Sequence, residues 1–291
     1  MPEELENLEV PQGPRVSAII VARNQIEPLR RCVAALERST DRERLEILVV
    51  DLASTDGCAQ IDSEFPSIIP LRLPHDFGAT RAMNIGTRTA KAELVFYLSP
   101  DVEVAPDTVS KLADKLEEDN DASAVCPLLL DESGRAVSKV YKIPTAATLK
   151  GEMPVVALDV TKDRIDVEYP GRDAILVRKQ FVRGMNYFDD RFGEYWADAD
   201  LAILIYRGMK KIRLYPSIKA VRRGDTSVDW SKGVFAADRA TSAASLIGKH
   251  YGFLSALIFV LGAIFSALGR FDFKALFALI TGQKIDSSQG Q

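Results

Sequence analysis

Carboxylates recur in this chain where apolar runs end. In Val49-Val-Asp-Leu-Ala-Ser-Thr-Asp-Gly57, Asp51 closes a β-branched run and Asp56 sits in the turn that follows. A carboxylate at a strand end beside a tight turn can accept hydrogen bonds from the base or ribose of a nucleotide, and a second Asp can cap the next helix. The plainer alternative is that both residues serve only the turn and the cap. Leu98-Ser-Pro-Asp-Val-Glu103 ends another apolar run at Asp101. An exposed carboxylate there suits a hard divalent ion shared with a diphosphate, or is simply a solvated edge turn. Glu194-Tyr-Trp-Ala-Asp-Ala-Asp200 puts two aromatics and the carboxylates of Asp198 and Asp200 at a helix start. Aromatics can stack on sugar faces and one Asp could take a hydroxyl proton, against the alternative of simple helix capping. Asp76-Phe-Gly-Ala-Thr-Arg-Ala-Met-Asn-Ile-Gly86 joins a glycine turn to a helix. There Arg81 could meet a phosphate and Asn84 a base or sugar, or Arg81 is a solvated face and Asn84 a local cap.

These residues must be held by regular elements, and the hydrophobic pattern supplies them. Val16–Ala22, Leu45–Val50, Ile68–Leu73, Glu93–Leu98, Ala124–Leu130, Ala174–Arg178 and Lys211–Pro216 read as strands. Helical spacing is found over Leu29–Leu36, near Cys58–Phe65, over Ala79–Ala90, Asp107–Glu118, and from Ala236 to Tyr251, while Asp189–Tyr206 reads as a loop feeding a helix. Gly134–Pro170 is irregular. The alternation predicts βαβ units on a parallel sheet covered on both faces, an α/β fold. The ends of three strands, at Ala22-Arg23-Asn24, Asp51 and Asp101, fall on the edge where open α/β sheets bind ligands. About the first 130 residues therefore read as a nucleotide-binding half.

Composition narrows the class. The chain has 291 residues, 47% of them hydrophobic, and a net charge of −4, which excludes overall disorder and argues against a nucleic-acid binder. Cys32, Cys58 and Cys126 form no C-x-x-C pair and suit a reducing compartment. His75 and His250 are too few for a histidine-rich zinc site, so any metal would sit on carboxylates. Residues 1–14 read as an acidic lead, and Met1–Val10, with four Glu and no apolar run, does not read as a signal peptide.

The ordered set Val16–Asn24, Val49–Gly57, Asp76–Gly86, Leu98–Val102 and Phe188–Leu201 resembles the family 2 glycosyltransferases, which have the Rossmann-like GT-A fold. The likeness is nearest to the rhamnosyltransferase-like branch acting on cell-surface polysaccharide precursors. Gly171-Arg-Asp-Ala-Ile-Leu-Val-Arg178, Gly184-Met-Asn-Tyr-Phe-Asp-Asp-Arg-Phe192 and Lys249-His-Tyr-Gly252 resemble further family segments, so the likeness spans residues 15–252. It implies an inverting transfer from a nucleotide-sugar donor to a saccharide or lipid-linked acceptor. Asp51 would bind the nucleotide base, Asp101 would hold Mn²⁺ or Mg²⁺ against the diphosphate, and Asp198 would be the general base. Ala22, Asn24, Arg81, Asn84 and Ser99 would complete the donor side, with Trp196 and Asp200 on the acceptor side.

The chain departs from that pattern at several points. Leu52 and Ser99 stand where the family has Asn, Asp76 replaces another Asn, and Ala197 replaces the Glu of a Glu-Asp pair. Arg222-Arg223 stand where the family often has a metal-binding His. Two expectations compete: an active enzyme in which Arg222 or Arg223 supplies the countercharge that the metal normally gives, or a catalytically degenerate scaffold that binds a glycan or protein partner. The first is preferred because Asp51, Asp101 and Asp198 survive. A sugar-phosphate nucleotidyltransferase would want a Gly-rich basic loop after the first strand, where this chain reads Ala22-Arg-Asn-Gln-Ile26.

The expected organisation is a lead at 1–14, a GT-A domain at 15–235 and a helical tail at 236–291. Tyr251–Gly269 carries no charged residue over 19 positions, and a shorter apolar piece follows to Ile280. Its length is near the lower limit for crossing a bilayer. The alternatives are a buried helix and a membrane-embedded or monotopic tail, and the second is preferred, with residues 251–280 meeting the cytoplasmic face of the inner membrane. Residues 1–202 hold 24 Lys+Arg against 36 Asp+Glu, whereas residues 203–291 hold 13 against 5, so the basic end suits an anionic membrane face.

Overall fold

The computed structural model describes residues 13–150, 153–224 and 233–281. Most of the acidic lead and the last ten residues of the expected tail lie outside the described residues.

In chain order the elements are β1 (Val16–Ala22), α1 (Ile26–Glu37), β2 (Leu45–Asp51), β3 (Ile69–Arg72), α2 (Ala79–Thr89), β4 (Leu94–Leu98), β5 (Val102–Val104), α3 (Thr108–Glu118) and β6 (Ala122–Leu130). The second half adds β7 (Ile165–Val167), β8 (Ala174–Arg178), α4 (Lys179–Gly184), α5 (Ala197–Arg207), β9 (Lys211–Arg222), α6 (Gly233–Tyr251), α7 (Phe253–Gly269) and α8 (Phe273–Thr281). The nine strands form one sheet in the order β3-β2-β1-β4-β8-β6-β9-β5, with β7 on β9.

The first strands behave as their sequence dictates. β1 is apolar on both sides because both faces are covered. Ala18, Ile20 and Ala22 pack with Leu29, Val33 and Leu36 of α1, and Ile19 packs with Ala82 and Met83 of α2. β3, β2, β1 and β4 are all parallel, and the register Ala22↔Asp51↔Arg72 aligns their carboxyl ends on one edge.

The expectation of a purely parallel sheet fails beyond β4. β8 runs antiparallel to both β4 and β6, and β9 runs parallel to β6 but antiparallel to β5 and β7. A mixed sheet lets the chain return to the same edge from the other direction, so Leu98 at the end of β4 lies opposite Ala174 at the start of β8. β9 is also longer than expected. Its ladder with β6 shifts register between Pro127 and Leu128, opposite Tyr215 and Lys219, and then resumes as far as Val221. Pro216 therefore interrupts the pairing without ending the strand, in keeping with a proline at an irregular position. The extension carries Arg222 to a position opposite Val102.

Helix α6 crosses the expected boundary at 235 and 236. Its Ala237, Ala243, Leu246 and Ile247 are buried, the last three in the same core as α5 and the β6–β8–β9 face. The break comes at Gly252, whose φ of +96° suits a residue without a side chain and ends α6 before α7 begins. α7 has 17 residues, about 25 Å of helix, against a hydrocarbon core of about 30 Å. No helix among the described residues is long and apolar enough to cross a membrane. α7 and α8 both fold back onto α6, yet only Phe259 and Ala267 of α7 and Ala275 and Ala278 of α8 are buried. This is not the arrangement of a buried core helix: α7 and α8 lie on the surface with most of their apolar side chains exposed.

Candidate functional site

A cleft of about 900 Å³ opens at the carboxyl edge of β1, β2 and β4. Its floor is apolar, from Ile19, Val21, Leu52, Met83 and Tyr97, and its rim carries Asn24, Ser99, Asp173 and the guanidinium groups of Arg23, Arg172 and Arg222.

On the β1–β2 side, Ala22 is fully buried and works through its backbone, its carbonyl accepting from Leu52 N at 2.9 Å. Asn24, at φ +49°, accepts from Thr55 N at 2.8 Å through Oδ1, tying the first loop to the second. Asp56 takes Ile26 N at 2.8 Å and Cys58 N at 3.1 Å, so it caps α1 across space as well as its own turn. Burial would raise its carboxyl, but the Cys58 side chain first, and then the N–H groups of Ile26 and Cys58, hold it below the usual range. Asp51 accepts from Ser54 N through Oδ2 at 3.2 Å, while Oδ1 is buried and bonds to nothing. A buried acceptor left open is costly unless a ligand fills it.

At the end of β4, Ser99 reaches the rim and its N–H donates to Asp173 O at 2.8 Å. Asp101 is 3% exposed, and it too has a buried, unpartnered Oδ1. Its Oδ2 is held at 2.9 Å by Arg222 Nε, and the Nη1 of the same guanidinium lies 2.9 Å from Asp173 Oδ2. Burial pushes the Asp173 carboxyl up, Arg222 pulls it back, and the Asp101 charge adds to the rise, leaving it above its ordinary value. Strand alternation sends Arg223 the other way, to Glu103 at 2.9 Å and Glu132 at 3.3 Å. Of the two arginines expected to face a diphosphate, only Arg222 lines the cleft.

These side chains match a resident divalent ion poorly. The open Asp101 Oδ1 could serve one, but Asp101 Oδ2 and Asp173 Oδ2 both already carry a guanidinium. Among the described residues no group of three His, Cys, Asp or Glu side chains could hold a metal.

Below the rim lies a buried network whose members the sequence reading left unassigned. Glu194 bonds Arg23 Nη2 at 2.8 Å, Arg172 Nη2 at 3.1 Å and the N–H of Ala79 at 3.1 Å, which opens α2. Arg23 also meets Asp76 at 2.6 Å. Burial would raise the Glu194 carboxyl, but Arg23 and Arg172 outweigh it and hold it below the usual carboxylate range. The close approach depends on Gly78, at φ +81°, where a side-chain carbon would lie 3.0 Å from the Gly193 carbonyl carbon. Glu194 stood inside a cluster singled out by composition, and Arg23 stood between two assigned residues. Nothing in their spacing, however, indicated that they pair across 171 positions.

The helix start around Asp198 divides differently than expected. Asp198 accepts from Tyr169 OH through Oδ2 at 3.0 Å and from Ala199 N through Oδ1 at 3.0 Å. Burial and then the Asp198 charge raise the Tyr169 phenol well above its ordinary value, so it remains a donor. Asp198 is also close enough for its charge to act on Arg172 and Asp173 in the cleft wall. Asp200, expected on the acceptor side, is completely buried between Lys249 Nζ at 2.7 Å and His250 Nε2 at 2.6 Å. Arg207 Nη1 lies 2.9 Å from His250 Nδ1; a guanidinium only donates, so Nδ1 accepts and Nε2–H points to Asp200. Trp196 is no open stacking platform either. Its indole N–H donates to Arg239 O at 3.1 Å, and the Arg239 guanidinium covers its ring at 5.6 Å.

Asn84 and Arg81, also expected on the donor side, are turned to other partners. Asn84 donates to Phe188 O at 2.8 Å and Asp190 Oδ1 at 2.9 Å and accepts from Phe188 N at 3.0 Å, which uses its amide to hold the 184–192 loop. Arg81 is half-exposed, 3.7 Å from Asp190, with its guanidinium over Phe77. Helix geometry explains Arg81, because the face of α2 that meets the sheet carries Ala82 and Met83 and Arg81 lies outside it.

Comparison with known proteins gives consistent results. Residues 17–157 match the family model described as Glycosyl transferase family 2. The chain is 24% identical over 200 residues to the N-acetylglucosaminyl-diphospho-decaprenol L-rhamnosyltransferase of Mycobacterium tuberculosis, a match covering 60% of this chain and 64% of that protein. It is 23% identical over 234 residues to the O-antigen biosynthesis protein RfbC of Myxococcus xanthus, covering 73% and 18%. The chain thus spans less than two thirds of the length of either relative. Among solved structures, GalNAc-T7 with UDP, GalNAc and Mn²⁺ superposes with a TM-score of 0.61 at 16% identity, covering 74% of this chain and 45% of that one. The S. aureus TarS structure in complex with UDP gives 0.57 at 15% identity, covering 80% and 65%. The shared architecture is the GT-A fold.

Proposed function

We propose that this chain, which carries a glycosyl transferase family 2 domain over residues 17–157, is an inverting glycosyltransferase that moves a sugar from a nucleotide-sugar donor to a saccharide or lipid-linked acceptor. The observation that carries this reading is the pair of buried, unpartnered carboxylate oxygens of Asp51 and Asp101, at strand ends whose chain neighbours Leu52 and Pro100 line one cleft. Asp51 Oδ1 is suited to an N–H of the nucleotide base, and Asp101 Oδ1 to a hydroxyl of the donor sugar.

Asp198, whose charge acts on Arg172 and Asp173 of the cleft wall, is the general base. Its carboxylate is oriented by the Tyr169 hydroxyl, and it takes the proton of the acceptor hydroxyl as that oxygen attacks the anomeric carbon. The bond from the anomeric carbon to the phosphate oxygen breaks with its electron pair, and the nucleoside diphosphate leaves from the opposite face. Arg172 and Arg222 in the wall provide fixed positive charge where negative charge accumulates.

The surface of α7 and α8 supports a seat on the membrane. Phe253, Leu254, Ile258, Phe265, Phe273, Phe277 and Ile280 are all more than half exposed, and Arg270 and Lys274 stand beside them. Apolar helices lying in the interface with basic neighbours fit a monotopic attachment to an anionic, cytoplasmic bilayer face, where a lipid-linked acceptor is presented.

Turnover of UDP-, dTDP- and GDP-sugars, with wild type against Asp198→Asn, tests the reading. A positioned base contributes roughly 10²–10⁴-fold, and the variant should lose about that much while still binding donor. Donor binding without turnover in the wild type would favour the degenerate scaffold, for which Ala197 in place of Glu is the supporting residue. Undiminished turnover by Asp198→Asn would remove the base assignment.

A further inference from the structure

We infer that Arg222 is a built-in cation that binds the donor's diphosphate in place of a divalent metal, so that this chain holds nucleoside diphosphates without metal; this deepens the donor-binding reading above and rests on it.

Three observations lead there. First, the sheet itself delivers the guanidinium. The run of β9 past Pro216 pairs Arg222 with Val102, next to Asp101, and the N–H of Arg223 donates to Asp101 O at 2.8 Å, which locks the two chain segments together. Secondly, the guanidinium bridges two carboxylates, Asp101 Oδ2 and Asp173 Oδ2, both at 2.9 Å. A cation between two carboxylates at the rim of the cleft is what a divalent ion would provide. Here the charge is covalently attached and always present, because arginine does not deprotonate in proteins. Thirdly, the side chain lines the cleft and is about one third exposed, so the charge is directed at the ligand space and not sealed into the core.

The electrostatics agree. Burial first, and then the Asp101 charge, push the Asp173 carboxyl up, and Arg222 pulls it back. With Arg222 seated, Asp101 has only its Oδ1 open to a metal, and Oδ2 of Asp101 and of Asp173 already carries the guanidinium. A guanidinium also matches phosphate oxygens through paired N–H groups, which a compact ammonium does not. Arg223, turned to Glu103 and Glu132 on the opposite side of the strand, takes no part.

Calorimetric titration of the full chain with UDP, dTDP and GDP, each in EDTA and in Mn²⁺, tests this without any turnover. The wild type should bind at least one diphosphate with the same Kd in both buffers. Arg222→Ala should weaken that binding in EDTA by roughly 10- to 100-fold, the range of one charge-assisted contact. Arg222→Lys keeps the charge without the fork and should fall between. Arg222→His places a neutral metal ligand beside two freed carboxylates and should bind well only with Mn²⁺. Thermal melts of each variant separate loss of binding from loss of fold. Binding by the wild type that requires Mn²⁺, or an Arg222→Ala variant that binds as wild type in EDTA, would overturn the inference and leave the donor reading intact. Failure of all three diphosphates to bind in either buffer would instead sink the donor reading, and the inference with it.

Discussion

Replacing Glu194 with Gln is the most informative single perturbation of the fold. The Glu194 carboxylate is about 7% exposed and receives three donors: Arg23 at 2.8 Å, Arg172 at 3.1 Å and the N–H of Ala79 at 3.1 Å. All three point hydrogens inward. An amide of the same shape offers one acceptor oxygen and two hydrogens, so at most one side of the network survives. The other side is left with a donor facing a donor. Each buried donor left unsatisfied costs about 1–3 kcal/mol, and breaking a buried ion pair by removing one partner costs about 3–5 kcal/mol. Arg23 retains Asp76 and both arginines border the cleft, which favours the lower end, so we expect a loss of about 3 kcal/mol. For a chain of this size that is a fall of roughly 6–12 °C in Tm.

The pH dependence supplies a second readout. The Glu194 carboxyl is held below its ordinary value of 4.5 in the fold, so its contribution is fully present above that value and is lost as pH falls through the lower folded value. The gap between wild type and Glu194→Gln in urea denaturation should therefore be constant from neutral pH down to about 5 and then narrow in acid. A gap below about 1 kcal/mol at pH 7, or one that widens on acidification, would refute the assignment of this network as the anchor between β1, α2 and the 193–196 turn.

Three shorter predictions follow from the same geometry. Asn84→Ala removes three hydrogen bonds to the 184–192 loop and should cost about 2–3 kcal/mol in urea denaturation, while diphosphate affinity by calorimetry stays unchanged; weakened affinity with intact stability would return Asn84 to the donor side. Tyr169→Phe leaves the Asp198 carboxylate without its orienting donor, so kcat should fall by about tenfold at an unchanged donor KM; a change confined to KM would assign Tyr169 to binding. Phe253, Phe265 and Phe277 together changed to Ser should abolish co-sedimentation with vesicles of anionic phospholipid and leave the Tm unmoved, because all three are exposed. A wild-type chain that ignores such vesicles would remove the membrane seat.

Much of the first half of the fold is legible in one dimension. β1, β2 and β4 are short apolar runs, and the residues that end them lie at the carboxyl edge by strand geometry alone, so Asp51, Ser99 and Asp101 fall where their neighbours in the chain put them. The order of the motifs brought the GT-A fold with it. The apolar tail was equally plain, since a run of 19 residues without charge admits few environments.

What the chain could not announce are relations between distant segments. Whether Asp198 or Asp200 is sealed away depends on what packs against α5, and Lys249 and His250 of α6, some 50 positions away, bury Asp200 and leave Asp198 to Tyr169. Arg222 and Arg223 are identical as residue types and adjacent in sequence, yet the register of β9 on β5 turns one to the cleft and the other to Glu103. Local propensity selects strands and helices because it acts over a few residues. The pairing of Arg23 with Glu194, the antiparallel return through β8, and the cation placed on Asp101 arise only when strand order and side-chain direction are decided by packing across the whole sheet.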